Sequence, residues 1–267
     1  MIAMRCAGYD RVDLQAAKDL GIKVTRVPAY SPRSVAEHAL SLMFCIARNT
    51  HLAYDRVVSG NYTLNGLVGV ELSGKTFGIV GTGNIGIEMI KLLSGFHGKI
   101  LAYDVNESAA AVAAGAEYVS LDELLKESDI VSLHVPLLPS THHIINKERI
   151  GMMKKHAILI NVSRGGLIDT DALITALEDD HLFGVGLDVY DKEDSLFFKD
   201  FTEMTKENRM KAWDRSFKLL VSLPQVIVTP HVAFLTQEAL KNIGDTVVGN
   251  LRAAALGEVL VNEVKAK

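Results

Sequence analysis

The sequence predicts an α/β chain built on a doubly wound parallel sheet, joined to a second, smaller α/β unit. Three observations carry this. Between about residues 75 and 235, seven short β-rich runs ("TFGIVG", "KILAYD", "EYVS", "DIVSLHV", "AILINVS", "GVGLDV" and "VIVTPH") are mostly separated by stretches that could be helices. Alternation of this kind calls for parallel pairing, because each parallel pair needs a crossover. The first run leads into a glycine-patterned turn and then a helical stretch. The chain itself opens on "MIAMRCAGYDRVDLQAAKDLGIKVTRV", which reads as strand (2–6), a turn at Gly8, an Asp-capped amphipathic helix and a second strand (23–27) behind Gly21. The apolar faces of that unit need something to pack on.

Taken in order, the next element is a helix predicted over 34–54, "SVAEHALSLMFCIARNTHLAY", with no Gly or Pro and an apolar stretch wider than one helical stripe. It is expected to be buried on more than one side, either between domains or subunits or as a central core helix. A Gly- and Asn-rich connection follows at 59–75. We therefore expect residues 1–60 to form one domain with its interdomain helix and 61–235 the doubly wound domain. A long helix and a short extended tail fill 236–267.

Bulk composition narrows the function classes. With 267 residues, 48% hydrophobic and 22% charged, the chain is long enough for two cores. The formal net charge is −4 and the 28 Lys and Arg are scattered, so no basic field invites nucleic acid or an anionic membrane. A small-molecule site is the expectation. Two cysteines, Cys6 and Cys45, show neither metal spacing nor a disulfide framework, which suits a reducing compartment such as the cytoplasm. The apolar stretch at 39–47 is too short to span a bilayer, and Met1 is not followed by a signal-like core.

The glycine-patterned turn, "TFGIVGTGNIGIEMIKLL", places Gly81, Gly83 and Gly86 as G-x-G-x-x-G between a strand and a helix. The first glycine permits the tight turn, the second a close approach to pyrophosphate, and the third close packing of helix on strand. The helix N-terminus adds amides and partial positive charge. A purely structural glycine turn is the alternative. The next strand ends in Asp104, where a carboxylate would accept from both ribose hydroxyls of an adenosine and repel a 2′-phosphate; no Arg follows it. The pattern thus reads as a Rossmann dinucleotide site preferring NAD over NADP, with hydride transfer implied and a sensor role for bound NAD left open.

Ligands of such sheets sit beyond the carboxyl ends of the strands. Val135 and Pro136 end one strand and could line the cofactor. Arg164 ends another, before Gly165 and Gly166; Asp188 ends a third, with Glu193 five residues on; His231 ends the last. Each has a bland reading: a helix-start arginine, a loop carboxylate, a capping or core histidine. Together they match what reduction of a 2-keto acid requires. A cation holds the substrate carboxylate and polarises its carbonyl, and an acid protonates the oxygen as hydride arrives. Glu193 would orient the imidazole and favour its protonated form.

At these residues the sequence resembles the D-isomer-specific 2-hydroxyacid dehydrogenase family, and within it the D-lactate dehydrogenase branch, over essentially the whole chain. The "SRG" arginine, a glutamate shortly after "LDV" and the "TPH" histidine carry over to Arg164, Glu193 and His231; Glu193 is preferred to Asp191 by its spacing from Asp188. The resemblance implies NAD contacts from Asn84, Ile85, Asp104, Val135, Pro136, Thr141, Val162, Ser163, Arg164 and Asp188, with Thr141 where relatives often have Asn. It implies that backbone amides around Ala7 and Gly8 hold the substrate carboxylate, with the turn from Asp10 to Asp13 starting the next helix. Tyr30 and Phe234 would shape a pocket for a small side chain, which makes pyruvate the leading substrate.

The apolar helix around 39–47 makes a homodimer the expected assembly, and the resemblance implies a substrate domain that is flavodoxin-like. Only the last portion of that domain is expected in this chain, leaving the strand at 2–6 with an unpaired edge. A stretch at 194–225 looks longer than in relatives. Two other readings follow: an NAD-binding interaction protein like the corepressors that share the fold, and a truncated family member that binds NAD with little turnover.

Overall fold

The computed structural model describes residues 1–9, 11–211 and 214–266. In chain order the elements are β1 (Ile2–Ala3), α1 (Leu14–Asp19), β2 (Val24–Thr25), α2 (Pro32–Ala47), α3 (Thr50–Val58), β3 (Phe77–Val80), α4 (Asn84–Leu93), β4 (Ile100–Tyr103), α5 (Ala109–Ala113), β5 (Ala116–Tyr118) and α6 (Leu121–Glu127). They continue with β6 (Ile130–Leu133), α7 (Lys147–Met152), β7 (Ala157–Asn161), α8 (Thr170–Glu178), β8 (Leu182–Leu187), α9 (Glu193–Leu196), α10 (Lys206–Lys211), α11 (Arg215–Ser222), β9 (Val226–Val228), α12 (Gln237–Leu256) and β10 (Glu263–Val264).

The seven β-rich runs form one sheet in the order β5-β4-β3-β6-β7-β8-β9, and every pairing in it is parallel. Its central strands β3, β6 and β7 are buried along their whole length. That is why they read as unbroken apolar runs rather than alternating ones. Strand order reverses at β3, which has β4 on one side and β6 on the other. The crevice for a ligand in such a sheet opens at that switch point. Leu101, Leu133, Leu159 and Val185 are among the side chains that fill the core, with Leu124, Leu125 and Leu177 from the covering helices.

Compactness divides the chain into two units, 35–233 and a smaller one made of 1–34 with 234–267. The sequence-based division at 60 and 235 differs in assigning 35–60 to the smaller domain. In the larger unit, Cβ atoms built on Gly184 and Gly186 of β8 would come within 2.7 Å of Ile46 and 2.9 Å of Leu42 in α2. The helix expected over 34–54 is two helices. Asn49 breaks it with a left-handed backbone (φ 49°), and its side chain donates to the Val68 carbonyl at 3.1 Å. Asparagine tolerates that conformation better than other side chains do, a tolerance that periodicity does not register.

In the smaller unit, β1 pairs in parallel with β2, and β10 returns antiparallel on the other side of β2. The strands are shorter than expected: 2–6 contracts to Ile2–Ala3 and 23–27 to Val24–Thr25, because the ladder stops where the chain turns into the Cys6 to Gly8 loop. β1 lies at the sheet edge among the described strands. Asp13 caps α1, accepting from the Ala16 amide at 2.9 Å; Asp10, expected to begin that turn, lies outside the described residues. Thr236 caps α12, and Gly257 ends it with φ 71°. Asn250, buried on α12, donates to the Arg26 carbonyl at 3.2 Å and accepts from Asn262 at 2.9 Å, joining helix, strand and tail.

Candidate active site

The larger unit carries most of the predicted residues, beginning with the glycine turn between β3 and α4. Gly81 has φ 100°, a conformation that disfavours any side chain, and a Cβ there would sit 2.7 Å from the His134 backbone. A Cβ on Gly86 would lie 2.0 Å from the Gly81 carbonyl oxygen, so helix and turn can close only with glycine at both places. Gly83 differs. A Cβ there would meet nothing within 4 Å, and it stands at the N-cap of α4 with no side chain capping the helix. With exposed Asn84 beside it and Ile85 half-buried, the first-turn amides suit an approaching pyrophosphate.

Asp104, half-buried just after β4, is fixed from this turn: its Oδ2 accepts from the Thr82 amide at 2.7 Å, and its Oδ1 from the Asn106 amide at 3.2 Å. A dinucleotide therefore fits the residues present, with open, uncapped amides for phosphate and a fixed carboxylate for ribose. Val135 is buried against the turn, and Pro136 follows it. Thr141, expected as a cofactor contact, uses its hydroxyl to close its own turn. It donates to the Pro136 carbonyl at 2.6 Å and accepts from the Leu138 amide at 2.8 Å.

His134, which no sequence motif marks, is 9% exposed. Its Nε2 meets Ser132 Oγ at 2.9 Å while Nδ1 has no partner among the described residues, and burial pushes its pKa down to about 4. Only the folded environment distinguishes this histidine from the chain's eight others.

The Arg164 turn is set by Asn161 at the end of β7, 1% exposed, whose side chain accepts from the Ser163 amide at 3.0 Å and donates to the Arg164 carbonyl at 2.9 Å. Ser163 donates to the Leu133 carbonyl at 3.0 Å, tying the turn to β6, and Val162 is buried. Arg164 Nη1 donates to the Ser163 carbonyl at 2.7 Å. A Cβ on Gly165 would lie 2.0 Å from the Tyr190 and Asp191 backbone. That approach brings the arginine turn against the segment leading into Glu193.

Glu193 begins α9, and its Oε1 is 2.8 Å from His231 Nδ1. A carboxylate only accepts, so Nδ1 carries the proton and Nε2 is left for another partner. Glu193 Oε2 also accepts from the Tyr190 amide at 3.3 Å. Tyr190 itself packs on Phe217 (ring centroids 4.9 Å) and hydrogen-bonds Asp214; burial first, and that carboxylate next, raise its phenol above the ordinary value. The stretch at 194–225 thus anchors α9; its Trp213 lies outside the described residues. Phe198, exposed and at φ 61°, stands with its ring 6.3 Å from that of His231.

His231 also has a left-handed backbone, φ 56°. Its amide donates to the Asp188 carbonyl at 2.8 Å. The Asp188 side chain, with no exposure, accepts from the Val232 amide at 2.9 Å, the Ala233 amide at 2.8 Å and the Thr229 hydroxyl. His38 Nε2 lies 2.9 Å from Thr229 Oγ1 and 3.5 Å from Asp188 Oδ1. Expected to touch the cofactor, this carboxylate is spent largely on the histidine loop.

The remaining predicted residues belong to the smaller unit. The Cys6 and Ala7 carbonyls accept from the Val27 amide at 3.1 Å and Arg26 Nη1 at 3.2 Å, holding the loop that contains Gly8; the same guanidinium lies 5.2 Å from the Tyr9 ring centre. Tyr30 and Phe234, distant in sequence, meet edge to face with ring centroids 6.0 Å apart, and the Tyr30 carbonyl accepts from Asn242 at 2.7 Å. Among the described residues no group of three or more His, Cys, Asp or Glu could hold a metal, and no helix is long and apolar enough to cross a membrane.

Comparison with known proteins agrees with this fold. The profile of the D-isomer specific 2-hydroxyacid dehydrogenase NAD binding domain matches residues 40–233. The chain is 46% identical over 263 residues to a D-lactate dehydrogenase of Escherichia coli, covering 98% of this chain and 78% of that protein. Among solved structures, one described as the pyruvate reductase of Chlamydomonas reinhardtii superposes with a TM-score of 0.93 at 54% identity, over 97% of this chain and 78% of the other. A D-lactate dehydrogenase from Aquifex aeolicus, complexed with NAD and lactic acid, gives 0.87 at 38% identity, over 98% and 79%.

Proposed function

The chain belongs to the D-isomer-specific 2-hydroxyacid dehydrogenases, NAD-dependent enzymes, and on that premise we propose that it interconverts pyruvate and D-lactate, with Arg164, Glu193 and His231 as its catalytic residues. The observation that carries the site is the 2.8 Å pairing of Glu193 with His231 Nδ1, which leaves Nε2 to serve the substrate. The pyruvate assignment draws support from relatives described as D-lactate dehydrogenases and a pyruvate reductase. The corepressor-like reading is not favoured, because the relatives are dehydrogenases.

When bound, NADH supplies the hydride. Gly81, Gly83, Asn84, Ile85 and Gly86 present the turn and first helical amides to the pyrophosphate, and Asp104 accepts from the ribose hydroxyls. Val135, Pro136, Val162 and Ser163 would line the bound cofactor, and Thr141 and Asp188 would join them there while also holding the loops that carry their neighbours. Arg164 pairs with the substrate carboxylate and polarises the keto group. As the keto carbon takes the hydride, its oxygen takes the Nε2 proton of His231, while Glu193 stabilises the imidazolium before transfer and keeps the ring in place. In the oxidative direction, neutral Nε2 accepts the hydroxyl proton of lactate. Amides around Ala7 and Gly8 are assigned to the substrate carboxylate, and Tyr30 with Phe234 to its methyl group.

The test is pyruvate-dependent oxidation of NADH, compared with 2-keto acids bearing larger or charged side chains. Preference for pyruvate, with kcat/KM falling by about 10³ or more in His231→Ala and Arg164→Ala variants, is the expected result. Equal use of all the keto acids removes the substrate assignment, and full activity in His231→Ala removes the catalytic one.

A further inference from the structure

We propose that Tyr118 is a positioning residue for cofactor choice: its hydroxyl fixes Asp104 through Thr82 and thereby sustains discrimination between NAD and NADP. The inference rests on the assignment of Asp104 to the adenosine ribose. It starts from a run of polar contacts that lies outside the catalytic set.

Tyr118 ends β5, one strand beyond β4, and its ring is half-buried. Its hydroxyl oxygen accepts from the Ser108 amide at 2.8 Å, and the hydroxyl donates to Thr82 Oγ1 at 2.6 Å. Thr82, 4% exposed, is the residue between the first two glycines of the phosphate turn. With its oxygen occupied as an acceptor by Tyr118, the Thr82 hydroxyl sends its own hydrogen to Asp104 Oδ2, 3.3 Å away, beside the amide bond at 2.7 Å to the same oxygen. The chain of donors runs one way, from the Ser108 amide through Tyr118 and Thr82 to the carboxylate. Bonds in such a chain polarise one another toward the charged end.

The consequence concerns where a negative charge sits. A carboxylate discriminates against a 2′-phosphate only if it cannot swing away, because a mobile one turns to solvent at little cost. Asp104 is followed by Val105 and Asn106, which are exposed, and on that side its Oδ1 accepts from the Asn106 amide at the longer distance of 3.2 Å. The confinement comes from the Thr82 side. Tyr118 holds both that hydroxyl and, through the Ser108 amide, the far end of the loop containing Asp104. Removing the hydroxyl frees Thr82 to rotate and releases the 104–108 loop.

Calorimetric titration of the full chain with NADH and with NADPH tests this without relying on turnover. In Tyr118→Phe, NADH binding should weaken about fivefold to tenfold and the ratio of NADH to NADPH affinity should fall by a similar factor, as expected for loss of a hydrogen bond acting on a charged group. Thr82→Ser should match the parent protein and Thr82→Val should follow Tyr118→Phe. General loosening of the fold would weaken both nucleotides alike and leave the ratio unchanged, which would overturn the proposal. A parental ratio in Tyr118→Phe, with a collapsed ratio in Asp104→Ser, would overturn it while sparing the role of Asp104. A parental ratio in Asp104→Ser would overturn both. Should Tyr118→Phe fail to fold, the two Thr82 variants decide the matter by themselves.

Discussion

Asp188 and His231 are joined through the backbone: the His231 amide donates to the Asp188 carbonyl at 2.8 Å, and the Asp188 carboxylate receives the next two amides of the loop, Val232 at 2.9 Å and Ala233 at 2.8 Å. A left-handed histidine is costly, and such strain persists only where the surroundings over-determine it. Asp188→Asn would turn an amide nitrogen toward groups that also donate. We expect a loss of roughly 3 kcal/mol of stability, together with a lower kcat as His231 loses its place. Thermal unfolding and steady-state kinetics on one sample check both, and a parental kcat in a folded variant would refute the positioning role.

Glu193→Gln keeps the shape of the side chain but removes the charge facing Nδ1. The amide can still accept from Nδ1 through its oxygen, so the ring keeps a partner, while the imidazolium loses its counter-charge. We expect kcat to fall by about 10-fold to 100-fold with the fold intact. An unchanged pH profile and kcat would show that Glu193 is not the orienting carboxylate.

His134 gives the fold a pH dependence of its own. Burial holds its pKa near 4 against an ordinary value of 6.5. Between those values the unfolded chain binds the proton and the folded one does not, so stability is complete above about pH 6.5 and declines as the pH falls toward 4. The whole decline amounts to something on the order of 3 kcal/mol. Carboxylates titrate in the same range, so the measurement is a difference: the slope of unfolding free energy against pH should be shallower in His134→Asn than in the parent. Equal slopes would contradict the assignment.

Gly86→Ala tests the closeness of helix and turn. Its Cβ would fall 2.0 Å from the Gly81 carbonyl oxygen, a backbone atom that cannot yield without moving the phosphate turn. Stability should drop by roughly 1 to 3 kcal/mol, and NADH affinity should weaken with it. Gly83→Ala meets no atom of the described residues within 4 Å, so its thermal stability should be close to parental while NADH binding suffers. Equal stability losses in the two variants would undo the distinction.

Much of this was legible along the chain because the signals are local. The central strands announce themselves as apolar runs, since both faces of β3, β6 and β7 are buried. The glycine turn is recognisable by its spacing, although only Gly86 answers a steric demand set within a few residues, while Gly81 answers one set by its own φ of 100° and by the distant His134 backbone. Arg164, Glu193 and His231 could be picked out by position, at or just after strand ends. Boundaries that depend on backbone conformation were less readable: the break at Asn49 leaves no mark in hydrophobic periodicity, and the first two strands are shorter than their apolar runs.

What the sequence determined by itself was the order of strands and helices, the phosphate turn and the residue types available for hydride and proton transfer. These follow from steric and solvation preferences that act over a few neighbouring residues. Tertiary structure alone decided which partners the residues around the site hold. Asp188 serves the His231 loop, Thr141 closes its own turn, and Thr82, Tyr118 and Ser108 converge on Asp104 from separate segments. A hydrogen bond depends on direction and on distances near 3 Å, and for atoms tens of residues apart only the packed sheet sets those.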